Sequence, residues 1–232
     1  MAEDKTNPQF TLYTHHTCPA AFKVAHILSL LHLTYKPIYI TITKTTKDQK
    51  EPWFLSLNPN GRLPVLIDHH HSNHIIWESA SIITYLLTLY DPLFTLHPSS
   101  PFLQSEVNSW VALQVSGQGP TIGQAFWFGY WHSEILPSAY NRYVEETKRI
   151  LGVLEGRLEG REWLVGNKMS VADVGFLAWY EEAFMVDIEI EREFPRCWGW
   201  IGRMKVVPEI VEGSVGREMI APRKLWERGV EE

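Results

Sequence analysis

The sequence predicts an α/β + all-α chain, a small mixed α/β domain followed by an all-helical one. Three observations carry this: where charge sits, where His and Trp sit, and a change of hydrophobic period near residue 92. Up to Pro92, seven basic and seven acidic residues leave the chain neutral. The remaining 14 basic and 20 acidic residues carry the whole formal charge of −6. Nine of the ten histidines lie at or before His97, and eight of the ten tryptophans lie from Trp110 onward. At 232 residues, 45% hydrophobic and 21% charged, the chain can bury a core and is long enough for one or two domains.

The elements follow in order. Residues 9–14 (QFTLYT) read as a short strand. Val24, Ile27, Leu28 and Leu31 then recur at i, i+3, i+4 and i+7, the spacing of a helix face. Ile38, Ile40 and Ile42 alternate with Tyr39, Thr41 and Thr43, a strand period. The polar run TKDQKEPWFLSLNPNG holds at most one helical turn, around Trp53 and Phe54. Residues 64–68 (PVLID) and 73–77 (NHIIW) read as a hairpin closed by HHHS, and a Ser-started apolar helix runs from Ser79 to Tyr90. This β-α-β, connector, β-β-α order matches a thioredoxin-like fold and sets the first domain at 9–92. DPLFTLHPSSP is the linker.

Beyond it, every period is helical. Tyr140, Tyr143, Val144, Thr147, Ile150, Leu151, Leu154 and Leu158 hold one stripe, with Glu145, Glu146, Lys148, Arg149, Glu155 and Arg157 opposite. Ser170 and Asp173 have the spacing of a helix start, with Ser170 accepting from the Asp173 N–H. An all-helical domain is expected at 101–220 and a tail at 221–232.

The acidic balance excludes a general nucleic-acid binder, which needs a basic face to displace phosphate counterions. Two cysteines, Cys18 and Cys197, are too few for a disulfide framework and suit a reducing compartment. The polar N-terminus and the lack of any 18-residue apolar run give the expectation of a cytoplasmic protein with no membrane partner. His15-His16 and His69-His70-His71 with His74 invite a metal reading. They lack the carboxylate or cysteine pattern of a closed site, so no metal is expected.

NPNGRLPVLID (58–68), IWESASIITYL (76–86), WLVGNKMSVADV (163–174) and residues 116–158 resemble the cytosolic glutathione transferases. They are most similar to the fungal subgroup related to the yeast nitrogen-catabolite prion protein. The prion relative's Asn-rich tail is absent, so no prion role follows. The resemblance implies glutathione as co-substrate, a cis peptide between Leu63 and Pro64, and a Val65 backbone that pairs with the cysteinyl part of glutathione. It implies that Ser79 binds the γ-glutamyl carboxylate and Glu78 its ammonium. A helix start supplies the free N–H groups and dipole for such an anion, although a plain helix cap has the same two residues. Gln49 or Lys50 stands where relatives touch the glycyl end, or is a solvated loop residue. Lys23 either approaches that carboxylate or lies at the surface.

The catalytic corner departs from the subgroup. Where relatives carry Pro-Asn-Gly-Phe-Lys, this chain has Pro19-Ala20-Ala21-Phe22-Lys23, so Ala20 replaces the Asn whose side chain contacts the glutathione sulfur. Three replacements are open. Cys18-Pro19-Ala20-Ala21 has the spacing of the omega-class Cys-Pro-Phe-Ala motif, whose cysteine forms a mixed disulfide with glutathione. Tyr13 ends the first strand, and Thr17 carries a hydroxyl. Each also reads as ordinary structure: an inert thiol, a packed aromatic, a loop residue. A hydrogen bond to an anion contributes about 1.5–3 kcal/mol, so a single donor suffices to hold a thiolate.

The electrophile is expected on the helical domain, against Phe126, Trp127, Tyr130, Trp131, Tyr180 and neighbouring Trp179, Phe184 and Met185, with Phe22 on the first domain. Much of such an aromatic stripe is core. His132 is a candidate proton donor or part of a WHSE turn. The reaction expected is glutathione transfer to an apolar or conjugated electrophile, such as a fungal metabolite, by a homodimer. The alternatives are a glutathione-dependent cis–trans isomerase in secondary metabolism, a Cys18-dependent thiol transferase, and a non-catalytic glutathione-binding regulator.

Overall fold

The computed structural model describes residues 8–43 and 45–218. These form two compact units. The first takes the chain up to His97 together with Val206–Glu218; the second is Pro98–Lys205. The expected 101–220 domain therefore gives up its last stretch to the first unit, and the expected 221–232 tail lies outside the described residues.

In the first unit, β1 (Phe10–Thr14), α1 (Pro19–Leu30), β2 (Tyr35–Tyr39), α2 (Pro52–Leu55), β3 (Val65–Asp68), β4 (His74–Trp77) and α3 (Ser79–Tyr90) follow in sequence. The four-stranded sheet has the order β2-β1-β3-β4, with β1–β2 parallel and the other pairs antiparallel. This is the thioredoxin-like arrangement. The strand expected over Ile38–Ile42 lies earlier. Its parallel partner β1 spans five residues and pairs Phe10 with Tyr35 and Thr14 with Tyr39, so the ladder ends before Ile42. Pro37 is tolerated because β2 is an edge strand.

Alternation along β1 builds two layers. Phe10, Leu12 and Thr14 are buried, and Phe10 meets Tyr90 of α3 edge-on at 5.3 Å. Tyr13 points to the other face and packs with Ile40, Phe54 and Val65. α1 is buried over ten of its twelve residues. One cover is the late helix Pro208–Gly213, which approaches so closely that a Cβ on Gly213 would lie 2.9 Å from the His26 Cα.

The hairpin turn is built by the histidines. Asp68 caps the His69–His71 turn by accepting from the His70 N–H at 2.9 Å, and it also accepts from Tyr85 and Tyr90. His69 contacts Thr11 and Asn73, and His71 contacts Asp68. Among the described residues no group of three or more His, Cys, Asp or Glu is arranged to hold a metal.

In the second unit, α4 (Pro101–Leu113) runs through a wide π turn at Gln114–Gln118 into α5 (Gly119–Phe126), and a second π turn follows at Trp127–Trp131. α6 (Pro137–Arg157) carries the expected stripe, buried at Tyr140, Val144, Thr147, Ile150, Leu151 and Leu154. α7 (Val171–Tyr180), α8 (Ile190–Glu193) and α9 (Pro195–Lys205) complete it. At the start of α7, Ser170 Oγ accepts from Ala172 N–H at 3.2 Å, and the buried Asp173 carboxylate accepts from Ser170 N–H, Leu164 N–H and Trp200 Nε1–H at 2.9, 2.9 and 3.0 Å.

Candidate functional site

β1 ends at Thr14, and four residues turn the chain into α1. Cys18 is the N-cap of that helix, with extended backbone, and is half-buried. Pro19 has no N–H, while the Ala21 and Phe22 N–H groups bond to the Cys18 carbonyl at 3.0 and 3.1 Å. Among the described residues, the Ala20 N–H has no backbone partner. It is the donor that an N-cap side chain faces. Ala20 lacks a side-chain amide, but its backbone keeps a donor at the same corner.

Of the other two sulfur-stabilising candidates, Tyr13 packs its ring in the first unit and Thr17 bonds its hydroxyl to His15. The Tyr13 ring stands edge-on to Phe54 at 6.0 Å and beside Trp53 at 6.1 Å, as part of the Ile40–Phe54–Val65 cluster. Thr17 turns toward His15. Its backbone N–H donates to His15 Nδ1 at 3.2 Å, so that nitrogen is an acceptor, and the Thr17 hydroxyl 3.1 Å away donates to it too. Burial, then the neighbouring His16, hold His15 below the usual histidine range.

Lys23, one of the two alternatives left open from sequence, is not at the surface. It is 1% exposed. Burial lowers its pKa to about 7, and Cys18 and then Glu78 pull it back upward, so its ammonium is electrostatically coupled to both. The signal was present in the sequence: PAAFKVAHILSL is apolar around the whole helix, which marks a helix buried on all sides.

Leu63–Pro64 is a cis peptide, and Val65 opens β3 opposite Tyr13 and Trp77. Leu63 packs on the same cluster as Tyr13. β4 ends at Trp77, and Glu78 takes the left-handed φ of 66° immediately before α3. Ser79 is the first residue of that helix and is buried. Asn60 Nδ2 donates to Glu78 Oε1 at 3.0 Å, so the loop after α2 holds the carboxylate. Sequence reasoning missed Asn60; its place in the turn-forming NPNG run was the available sign. Lys50 Nζ donates to the Gly61 and Asn60 carbonyls at 2.8 and 3.3 Å and so anchors the same loop. Gln49 Oε1 is buried and accepts no hydrogen bond among the described residues.

The chemistry this corner offers is clear. It presents a helix start for an anion, a carboxylate beside it for a cation, and a second helix start bearing a thiol.

Two family models match the chain: glutathione S-transferase, N-terminal domain, over residues 17–89, and glutathione S-transferase, C-terminal domain, over residues 119–206. Glutathione S-transferase 1 of Schizosaccharomyces pombe is 40% identical over 218 residues, covering 86% of this chain and 93% of that protein. The chain belongs to the glutathione transferase family.

Solved members share the fold closely. The glutathione transferase URE2P6 of Phanerochaete chrysosporium, in complex with oxidized glutathione, is 42% identical with a TM-score of 0.84 over 89% of this chain and 95% of that one. Ure2p in complex with glutathione is 36% identical with a TM-score of 0.84 over 89% and 98%.

On the helical unit, the aromatic candidates separate. Phe126, Tyr130 and Tyr180 are buried, with the Tyr130 hydroxyl donating to the Met185 carbonyl. Trp127 and Trp131 are 49% and 52% exposed, both on the π turn. His132 closes a turn with Glu134. Phe184 is exposed and, with Tyr180, Ile190 and Trp198, lines an open cleft of about 730 Å³. Phe22 is buried on α1.

Proposed function

We propose that this chain binds glutathione on its first unit and transfers the thiolate to an apolar or conjugated electrophile. The observation that carries this is the junction of β4 and α3. There Glu78, held by Asn60, stands immediately before the helix start at Ser79. Ser79 and the first-turn N–H groups take the γ-glutamyl carboxylate, Glu78 takes its ammonium, and Val65 takes the cysteinyl backbone. Gln49 Oε1, a buried acceptor in want of a donor, takes the glycyl N–H of glutathione and not its carboxylate.

The sulfur then lies at the start of α1. The Ala20 N–H and the α1 dipole stabilise a thiolate there, and the Lys23 ammonium adds a cation. The glutathione thiol gives up its proton and the sulfur forms a bond to carbon. Either a leaving group departs with the bonding pair, or the adjacent carbon of a conjugated alkene takes a proton.

Titration calorimetry with glutathione tests the reading: binding supports it, and no binding overturns it. A second reading is favoured by the half-buried Cys18 at a helix start, namely thiol transfer through a Cys18–glutathione mixed disulfide. Unchanged conjugation of an aryl halide by Cys18→Ser removes the cysteine from the transfer reaction, while loss of disulfide reduction in that variant assigns the second activity to it. We also propose a homodimer, tested by light scattering, and a cytoplasmic location. Neither cysteine is in a disulfide, and no helix among the described residues is long and apolar enough to cross a membrane.

A further inference from the structure

The segment after the late helix, Ser214–Glu218, returns to the turn between β1 and α1, and every contact is specific. His16 Nδ1 lies 2.7 Å from the Gly216 carbonyl; a carbonyl only accepts, so His16 carries its proton on Nδ1 and donates. The His16 ring stacks on Tyr39 at 3.9 Å and 5°. The Tyr39 hydroxyl donates to the Val215 carbonyl at 3.2 Å, and Glu218 N–H donates to the His16 carbonyl at 2.8 Å. Gly216 has φ +81°, and a Cβ there would sit 2.2 Å from the Tyr39 hydroxyl, so no other residue fits. At the near end the Arg217 guanidinium lies 5.7 Å over the Phe22 ring.

We propose that Ser214–Glu218 is a clasp that positions the catalytic corner, acting through His16 as a positioning residue. His16 is two residues from Cys18 and is bonded at its ring, its ring face and its carbonyl by groups outside its own turn. Clamping it fixes where the chain enters α1, and with it the distance from sulfur to the first-turn N–H groups. Charge stabilisation at a helix start falls off within one turn, so a small shift of the entry weakens it. The proposal rests on reading the Cys18 corner as the place of sulfur chemistry, but it makes a claim of its own: the last described residues tune the reactivity of the first loop.

The test uses the Cys18 thiol itself as probe. Iodoacetamide alkylation of the full chain is followed by mass spectrometry; Cys197 is fully buried and serves as the internal sign of a folded protein. The rate at pH 7 divided by the rate at high pH, where the thiol is fully ionised, reports anion stabilisation and cancels changes in access. His16→Ala is expected to lower this ratio about threefold, the size of half a pK unit. His16→Gln, which keeps a donor for Gly216, restores most of it. Tyr39→Phe, which keeps the stack and loses the bond to Val215, lowers it by less and serves if His16→Ala does not fold. Tyr90→Phe, which loses a bond to Asp68 at the opposite end of the sheet, leaves it unchanged. A wild-type ratio in His16→Ala and Tyr39→Phe, or an equal fall in Tyr90→Phe, overturns the clasp. No glutathione enters the assay, so a chain that fails to bind glutathione sinks the proposed function and leaves this result to stand or fall alone.

Discussion

Asn60 holds Glu78: the side-chain amide of the first donates to Oε1 of the second at 3.0 Å, across 18 residues of sequence. The bond fixes a carboxylate whose own backbone sits at φ 66°, a conformation that costs a non-glycine residue about 1–3 kcal/mol. Replacing Glu78 with Gly therefore separates binding from stability. Glu78→Gly is expected to lose at least about tenfold in glutathione affinity, since a hydrogen bond to a charged group contributes about 1.5–3 kcal/mol. Its Tm is expected to equal or exceed the wild type. Calorimetry and thermal unfolding check the pair, and a fall in Tm with affinity intact refutes it.

His26 gives the chain an acid sensitivity. Ser214 Oγ spends its proton on the Ile210 carbonyl at 2.8 Å, so His26 Nε2 carries the proton it shares with Ser214 at 2.9 Å. Its Nδ1 is left buried without a donor. Burial, then Arg217, lower its pKa to about 3. The unfolded chain takes up a proton near pH 6.5 that the folded chain refuses. Stability therefore falls as pH drops from about 6.5 toward 3, at up to about 1.4 kcal/mol per unit. Urea midpoints at pH 7 and pH 5 should drop further in the wild type than in His26→Leu.

Lys23 works in the alkaline direction. Its pKa is lowered to about 7 in the fold, against about 10.4 in an unfolded chain. Between those values the unfolded state holds the extra proton, so folding gains as pH rises. Relative to Lys23→Met, the wild type should gain up to about 1.4 kcal/mol per unit from pH 7 to pH 9. A difference that stays flat over this range would place the ammonium in water.

Asp173 is the polar centre of the helical unit. It is fully buried and accepts from Leu164, Ser170 and Trp200, while burial raises its pKa. Asp173→Ala orphans these three N–H donors and takes the acceptor from the Ser170 hydroxyl; at about 1–3 kcal/mol for each N–H, a loss of at least about 3 kcal/mol is expected. Chemical denaturation measures it.

Local signals carried much of this structure. The 3.6-residue stripe from Tyr140 to Leu158, the Ser170–Asp173 start and the Glu78-Ser79 junction are decided by neighbours within a few residues, and each stands where its pattern places it. β2 was misplaced because its ends are set by β1, twenty-five positions earlier, and not by its own alternation. Thr17 and Tyr13 could not be ranked from sequence, since their availability depends on His15 and Phe54 in three dimensions. The clasp was invisible for a stronger reason: His16 and Gly216 are 200 residues apart, and neither has a composition that names the other.

That separation bears on how the chain is made. A ribosome delivers residues in order, and domains ordinarily fold as they emerge. Here the first unit needs the Pro208–Gly213 helix to cover α1, so it stays unfinished while all of Pro98–Lys205 is translated. The helical unit is in effect an insertion within its predecessor. A nascent chain stalled after His97 would expose the Ala25–His26 backbone, and a fragment cut at the Pro-Ser linker would carry the same open seam into the cell.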